Sequence, residues 1–242
     1  MKEYLEKVYR KSKQDFYKEI ETKLINEEKT FIITANPEIL AYGERDKNFD
    51  KILLDEETLI TPDGIGVIKG AKMFGIDIPE RITGVELTQE LIKLCDKYEK
   101  SMYLFGATEE VINKIKILIE QKYSGIKLVG TQNGYVEDKQ AVMEDIKSNS
   151  PDVVLVALGV PKQEKLIYEN LRDFHKGIFV GVGGSFDVIS GTKKRAPKVF
   201  IKLNLEWLYR IAFSPKRWKR FYEGNIKYII KLKKEVRKEN RN

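Results

Sequence analysis

Cysteine and histidine each occur only once in this sequence, so it has little capacity for metal or disulfide chemistry. Cys95 has no second thiol with which to form an intramolecular disulfide, and a zinc site built from several cysteines is excluded. His175 alone cannot make a histidine-rich metal site. The longest apolar run, near residues 153–160, is far shorter than the roughly 20 residues of a membrane-spanning helix. The charged first residues lack the apolar core of a signal peptide. These absences predict a cytoplasmic protein.

Positive charge is concentrated in the last fifty residues of the chain. Residues 193–242 contain 17 lysine or arginine and 4 acidic side chains, whereas the other 192 residues contain 27 basic and 33 acidic ones. A basic tail on a mildly acidic body favours a phosphate-bearing partner: nucleic acid, anionic lipid or a phosphorylated substrate. The alternative is a solvated helix without a partner. Aromatic residues interspersed through the tail favour the first interpretation.

Short apolar segments alternate with amphipathic segments of 10–15 residues, which is typical of a parallel sheet covered by helices. The unbroken apolar run VVLVAL at 153–158 is typical of a strand buried on both faces. The predicted strands are 31–34, 51–60, 102–105, 127–130, 153–158 and 178–182. The predicted helices include 84–100, one capped by Thr108, 138–148 and 161–174, with one or two more before residue 30. We predict an α/β fold, a Rossmann-like parallel sheet with helices on both faces, over residues 1–195. A basic, amphipathic helical appendage is expected over residues 196–242.

Polar and glycine-rich residues follow several of these strands. Ligands of open parallel sheets bind beyond the carboxyl ends of the strands, so these residues are the candidates for a site. The run GVGGSFD at 181–187 fits neither the G-x-G-x-x-G fingerprint nor a P-loop. Its backbone would allow close approach of a phosphate or nucleoside, and Asp187 would accept hydrogen bonds from a ribose or sugar. The alternatives are a plain tight turn and a capping role for Asp187.

Asp63 lies between Pro62 and Gly64 at the end of a predicted strand, with apolar residues after it. A carboxylate among apolar neighbours is suited to act as a general base. The alternative is that Asp63 caps the helix that begins at Gly64.

Acidic residues are not paired in the Asp-x-Asp pattern by which many sugar transferases hold a metal ion. Charge stabilisation is then expected from arginine, lysine, backbone amides and helix N-termini. The candidates are Arg81, Arg210, Arg217 and Arg220, of which the last two lie three residues apart and hence on one helix face. The alternative is that all four are surface charges.

Seven motifs occur in one order along most of the chain. They are TANPEIL (34–40), TPDGIGV (61–67), PERITGVEL (79–87), YLFGA (103–107), PDVVLVALGVPKQE (151–164), GVGGSFDVISGTKKRAP (181–197) and NLEWLYRIAFSPKRWKRF (204–221). The series resembles the WecG/TagA/CpsF glycosyltransferase family, and the resemblance covers residues 30–221.

The resemblance implies an inverting, metal-independent glycosyltransferase without a cofactor, whose donor substrate is a UDP-sugar. The acceptor in this family is a sugar attached through pyrophosphate to undecaprenol. The TagA-like branch transfers N-acetylmannosamine from UDP-N-acetylmannosamine to lipid-linked N-acetylglucosamine, a committed step of wall teichoic acid linkage-unit synthesis. Another branch transfers N-acetylmannosaminuronic acid, so a different sugar stays open.

The resemblance also implies roles for particular residues. Asp63 matches the catalytic base, which takes the proton of the acceptor hydroxyl. Thr34, Asn36 and Gln163 are expected to orient the donor sugar and diphosphate, and Arg81 belongs to the same pocket. The remaining substrate contacts are expected from Gly183, Gly184 and Asp187 for the uridine and from Arg210, Arg217 and Arg220 for the departing UDP.

Membrane binding is the role that we expect for the basic tail of such an enzyme. It is expected to lie on anionic lipid at the inner face of the plasma membrane and to complete the active site. The aromatic residues expected at the interface are Trp207, Tyr209, Trp218, Tyr222 and Tyr228. Homo-oligomers are also possible, and no nucleic acid is expected. Two alternatives remain: a Rossmann methyltransferase that binds S-adenosylmethionine, and a nucleic-acid-binding module.

Overall fold

The protein is built around one six-stranded parallel sheet. The computed structural model describes residues 1–203, 208 and 222–239. The strands are β1 (Thr30–Ala35), β2 (Thr58–Pro62), β3 (Ser101–Gly106), β4 (Lys127–Gln132), β5 (Val153–Ala157) and β6 (Ile178–Gly181). Their order across the sheet is β2-β1-β6-β5-β3-β4, and every neighbouring pair is parallel. The predicted α/β class and parallel sheet are confirmed.

Helices precede the first strand, occupy the connections between strands and follow the last strand. They are α1 (Lys2–Lys7), α2 (Lys13–Ile25), α3 (Pro37–Gly43), α4 (Lys47–Leu54), α5 (Ile65–Lys72), α6 (Gly84–Lys97), α7 (Glu109–Lys122), α8 (Lys139–Asn149), α9 (Lys162–Asn170), α10 (Ser185–Ile189), α11 (Lys198–Lys202) and α12 (Lys227–Glu239). A single 3₁₀ turn covers Leu171–Asp173, and a π-helical turn covers Tyr222–Ile226. Thr108 and Asp138 accept hydrogen bonds from the first turns of α7 and α8, as expected of N-caps.

Both faces of the sheet are covered by hydrophobic clusters, because successive strand residues point to opposite sides. In β1, Phe31 and Ile33 belong to one cluster and Ile32 to the other. The first cluster contains residues of α1, α3, α4, α5, α8, α9 and α12. The second contains residues of α2, α6, α7 and α10. Helices therefore lie on both faces, as predicted.

The segment 51–60 differs from its prediction as a strand. Helix α4 extends to Leu54, and β2 begins only at Thr58. Asp46 starts the helix by accepting hydrogen bonds from the backbone N–H groups of its first turn. Phe49, Ile52 and Leu53 are buried at helical spacing. A short apolar run does not by itself distinguish a buried helix from a strand.

Helix α12 packs on the first hydrophobic cluster, against α3 and α5. Tyr228 and Leu232 are each 1% exposed and belong to that cluster. A Cβ atom added to Gly70 of α5 would collide with the Tyr228 hydroxyl and lie 2.7 Å from Leu232 Cδ1. The expectation that Tyr228 lies at a membrane interface is therefore wrong, because this side chain is buried against the body. The division between residues 195 and 196 remains a prediction.

Candidate active site

Three neighbouring strands, β2, β1 and β6, end close together along the sheet and so bring their following residues together. Thr34 and Ala35 of β1 pair with Thr61 and Pro62 of β2. On the other side of β1, Ile33 pairs with Gly181 of β6. Parallel strands present their carboxyl ends at one edge of the sheet, where open α/β folds bind ligands. The predicted convergence of polar strand ends is therefore present for these three strands.

Asn36 and Asp63 are held side by side by the close approach of α3 and α5. Asn36 caps α3, because its Oδ1 accepts hydrogen bonds from the N–H groups of Glu38 (2.9 Å) and Ile39 (3.0 Å). A Cβ atom on Gly66 would lie only 2.6 Å from Pro37 Cγ. The glycine is therefore needed for the start of α5 to lie against the start of α3.

Asp63 links β1 to the start of α6. Its backbone N–H donates to the Ala35 carbonyl oxygen (2.9 Å), and its Oδ2 accepts from the N–H of Gly84 (3.3 Å). The N-cap of α5 is Gly64, without a side-chain hydrogen bond. The interpretation of Asp63 as the cap of that helix is therefore wrong. The carboxylate instead lies at the N-terminus of the 14-residue helix α6, whose partial positive charge attracts it.

Two hydroxyl groups meet the Asp63 carboxylate above the Cα atom of Gly84. The position that a Cβ atom of Gly84 would take lies 3.2 Å from Thr34 Oγ1, 3.3 Å from Ser185 Oγ and 3.7 Å from Asp63 Oδ2. Thr34 is 7% exposed and Ser185 is 5% exposed. We call this arrangement the hydroxyl cradle. The sequence reasoning missed Ser185 and Gly84, although both lie within motifs that it singled out.

Gln163 joins the loop after β5 to the loop after β6. Its Oε1 accepts hydrogen bonds from the N–H groups of Gly159 (2.9 Å) and Gly183 (3.1 Å), and its Nε2 donates to Glu164 Oε1 (2.7 Å). Gln163 is 2% exposed. A Cβ atom on Gly181 would lie 2.6 Å from Nε2, so a glycine is required for the amide to fit. The structure thus gives Gln163 a positioning role, and its expected contact with substrate stays a prediction.

The glycine turn after β6 has the geometry that its composition suggests. Gly183 has a φ of +47°, which favours glycine. Gly184 precedes α10 as its N-cap. The Asp187 carboxylate accepts a hydrogen bond from Lys193 Nζ at 2.8 Å, and the Lys193 N–H donates to the Asp187 carbonyl oxygen. Asp187 therefore folds residues 187–193 into a closed loop, and its contact with uridine stays a prediction.

Of the four arginine candidates for the site, Arg81 lies within the described residues. Arg81 Nη2 donates to the carbonyl oxygen of Ile201 in α11 at 3.5 Å. Arg195 Nη2 lies 3.5 Å from Glu86 Oε1. Both contacts hold residues 195–201 near the start of α6. Arg210, Arg217 and Arg220 lie outside the described residues.

Glu86 lies in the first turn of α6, where it pairs with Lys13 and Arg195. Burial alone would raise the pKa of Glu86, but the charge of Lys13, the Thr83 hydroxyl and the charge of Arg195 lower it below its usual value. Glu86 is therefore ionised at neutral pH and anchors Arg195 and Lys13.

Three further properties bear on what the protein does. In the described ranges, no group of three or more histidine, cysteine, aspartate or glutamate side chains is arranged to hold a metal ion. Burial raises the pKa of the single thiol, Cys95, so that it stays protonated. Within the same ranges, no helix combines the length and apolarity needed to cross a membrane.

A sequence model of the glycosyl transferase WecG/TagA/CpsF family matches residues 6–242. The chain belongs to this family. A relative from Bacillus subtilis (strain 168) is 40% identical over 204 residues, which cover 84% of this chain and 79% of the relative. A relative from Bacillus spizizenii is 37% identical over 223 residues, covering 92% and 86%. A relative from Staphylococcus aureus (strain NCTC 8325) is 36% identical over 213 residues, covering 86% and 81%. All three are named N-acetylglucosaminyldiphosphoundecaprenol N-acetyl-beta-D-mannosaminyltransferase.

Proposed function

We propose that this glycosyltransferase moves N-acetylmannosamine from UDP-N-acetylmannosamine to N-acetylglucosamine carried on undecaprenyl pyrophosphate. This reaction is the committed step of wall teichoic acid linkage-unit synthesis. Support comes from the names of relatives that are 36–40% identical over most of the chain. The structural observation that carries the proposal is the placement of Asp63 beside Thr34 and Asn36 at the ends of β1 and β2.

The proposed chemistry is a direct, inverting displacement. The acceptor hydroxyl oxygen attacks the anomeric carbon, the bond between that carbon and the UDP oxygen breaks, and UDP leaves with the electron pair. Asp63 takes the proton of the attacking hydroxyl as general base. Asn36 uses its Oδ1 to cap α3, which leaves its Nδ2 to donate to the donor sugar or diphosphate.

Charge that develops on the departing UDP needs compensation. We propose that backbone N–H groups of the Gly183-Gly184 turn supply part of it, since Gln163 fixes that turn. Arg81, Arg210, Arg217 and Arg220 are proposed to supply the remainder, without a metal ion or other cofactor. Asp187 is proposed to bind the uridine.

The outward face of α12 supports a peripheral position at the inner face of the plasma membrane. Ile229 and Ile230 are 45% and 48% exposed, and the exposed lysines Lys233 and Lys234 follow them. Buried Tyr228 and Leu232 hold the opposite side of the helix on the body. Apolar residues flanked by lysines suit the surface of an anionic bilayer, in which the acceptor lipid is embedded. Self-association of the chain remains a second proposal from the sequence.

Release of UDP from UDP-N-acetylmannosamine tests the proposed function. The purified protein is assayed with a short-chain prenyl-pyrophosphoryl N-acetylglucosamine, in the presence of EDTA. We expect UDP release that depends on the acceptor. In Asp63→Asn the rate of release should fall by roughly 10²- to 10⁴-fold, the usual range for loss of a general base. Asp77→Asn, a change of an exposed aspartate outside the site, serves as the control.

Other outcomes distinguish the alternatives. Activity only with UDP-N-acetylmannosaminuronic acid would mean that the enzyme uses a different donor sugar for the same type of transfer. Binding of S-adenosylmethionine without UDP binding would favour a methyltransferase and contradict the proposal.

A further inference from the structure

Two largely buried residues at the site, Thr34 and Ser185, carry hydroxyl groups that the described part of the protein leaves available to a ligand. Thr34 and Ser185 are more than nine-tenths buried. In the part of the chain that the structure describes, neither side-chain oxygen takes part in a hydrogen bond to another residue. Both hydroxyl groups lie on the open side of Gly84, so each can form a hydrogen bond to a ligand that approaches there.

The position of the cradle identifies the chemistry of that ligand atom. Thr34 Oγ1 and Ser185 Oγ lie 3.2 and 3.3 Å from the point that a Gly84 Cβ would occupy, and Asp63 Oδ2 lies 3.7 Å from it. A phosphate oxygen would be repelled by the Asp63 carboxylate. A sugar hydroxyl can donate to a carboxylate and accept from a serine or threonine hydroxyl at the same time.

We propose that Ser185 is a positioning residue which, with Thr34, holds the attacking hydroxyl of the acceptor sugar against Asp63. Because residue 84 is glycine, no side chain stands between these three groups and the approaching hydroxyl. This inference rests on the proposed function, in which Asp63 removes the proton of that hydroxyl. Ser185 reaches the cradle because β6 lies beside β1 and the Gly183-Gly184 turn places the start of α10 over α6.

Two substitutions test the cradle in opposite ways. Ser185→Ala removes one hydroxyl, and Gly84→Ala keeps every polar group but fills the space between them. Thr58→Val is the matched control, since Thr58 carries another buried hydroxyl without a hydrogen-bond partner in the described ranges, at the opposite end of β2. Alanine is favoured over glycine in a helix, so Gly84→Ala is expected to keep the fold.

Steady-state kinetics with both substrates give the readout. For Ser185→Ala we expect the KM for the acceptor to rise about 3- to 10-fold, the usual effect of one neutral hydrogen bond. The Kd for UDP-N-acetylmannosamine, from calorimetry, should stay at the wild-type value. For Gly84→Ala we expect kcat/KM for the acceptor to fall about 100-fold, because a displaced reactant loses its aligned geometry. Thr58→Val should match the wild type.

Three results would overturn the inference. Wild-type kinetics in both Ser185→Ala and Gly84→Ala would show that the cradle holds no substrate atom. Weaker donor binding with an unchanged acceptor KM would assign the cradle to the donor sugar. A wild-type protein that binds UDP-N-acetylmannosamine but releases no UDP with this acceptor would contradict the proposed function and with it the acceptor assignment.

Discussion

At the scale of single residues, Gln163 shows how one buried side chain can hold two loops of a site together. Its amide receives two backbone N–H groups from different loops and donates to Glu164. An amide offers an acceptor and a donor in these positions, whereas a carboxylate has no N–H to donate to Glu164.

Gln163→Glu is therefore expected to destabilise the protein in a pH-dependent way. Burial and the neighbouring carboxylate raise the pKa of the new side chain in the folded state, so its cost is absent below about pH 4 and grows as the pH rises. We expect a loss of about 1–3 kcal/mol in the free energy of unfolding near neutral pH. Chemical denaturation at several pH values measures it, and Gln121→Glu on the exposed surface of α7 is the control. Equal stability of both variants at every pH would contradict the hydrogen bonds described for Gln163.

Some site residues were predictable at this scale and others were not. Thr34 lies near the carboxyl end of an apolar strand, and Asn36 and Asp63 directly follow strands, so the rule that ligands bind at carboxyl ends of strands was enough to select them. Ser185 and Gly84 meet Thr34 only because β6 lies beside β1 and α6 starts next to β2. That meeting depends on strand order, which local periodicity does not determine.

At the scale of elements, the docking of α12 depends on a missing side chain. Gly70 leaves the space on α5 that Tyr228 and Leu232 fill. The contact links α12 to the helix that follows Asp63. Helix α3, which follows Asn36, also contacts α12, and Glu44 at the C-terminal end of α3 forms an ion pair with Lys231.

Gly70→Ala should loosen α12. A methyl group here overlaps the Tyr228 hydroxyl, and overpacking of this kind costs about 1–3 kcal/mol. We expect a lower Tm and faster cleavage by trypsin among the lysines of α12, detected by mass spectrometry.

A second substitution tests whether the loss of stability in Gly70→Ala comes from overlap with the Tyr228 hydroxyl or from a change within α5 itself. Tyr228→Phe removes a buried hydroxyl that has no hydrogen-bond partner in the described ranges. It should leave the Tm unchanged or raise it, and it should recover part of the loss when combined with Gly70→Ala. No recovery in the double variant would mean that overlap with Tyr228 is not the cause.

Hydrophobic periodicity predicted most of the helices and strands, but it failed where the surrounding structure determines which of the two a segment forms. The runs 153–158 and 178–182 are short, rich in β-branched residues and followed by glycine, which favours strands, and both contain one. The run that ends at Leu54 fits a helix or a strand equally well, and Asp46 as a cap was overlooked. Tyr228 lies in a tail whose charge suggested a surface, whereas its position on the inner side of α12 makes it part of the core.

At the scale of the whole molecule, Asp152 joins distant parts of the chain at the amino ends of the strands. Its carboxylate accepts hydrogen bonds from the Ser101 N–H and hydroxyl and from Lys176 Nζ. Burial alone would raise the pKa of Asp152, but the bonds from Ser101 and the charge of Lys176 lower it.

A lowered folded-state pKa means that Asp152 stabilises the fold above the ordinary carboxyl value of about 4. This contribution is lost as the pH falls from that value towards the lower pKa of the folded state. We expect Asp152→Asn to lower the Tm at neutral pH and to reduce the fall in Tm in this acid range. Thermal unfolding from about pH 7 to about pH 3 measures both effects. An acid dependence equal to that of the wild type would contradict the assignment.

The charge distribution of the whole chain leads to a prediction about membranes. Lys233 and Lys234 are exposed on α12, so their replacement leaves the buried contacts of that helix intact. Each lysine near an anionic surface contributes about 1 kcal/mol, so Lys233→Gln with Lys234→Gln should weaken vesicle binding roughly 30-fold.

Co-sedimentation with phosphatidylglycerol vesicles at two salt concentrations measures this binding. Lys116→Gln with Lys122→Gln, on the exposed side of α7, removes the same charge from the other face of the sheet. Equal losses in both pairs would indicate attraction by net charge alone, and no binding by the wild type would contradict the membrane proposal.

The burial of Tyr228 and Leu232 also constrains how the protein is made. About 160 residues separate Gly70 from the side chains that cover it. At ribosomal speeds of 5–20 residues per second, the apolar faces of α3 and α5 stay uncovered for on the order of ten seconds. During that interval the surface around Gly70 stays exposed to solvent, and Tyr228 and Leu232 cover it once α12 is made.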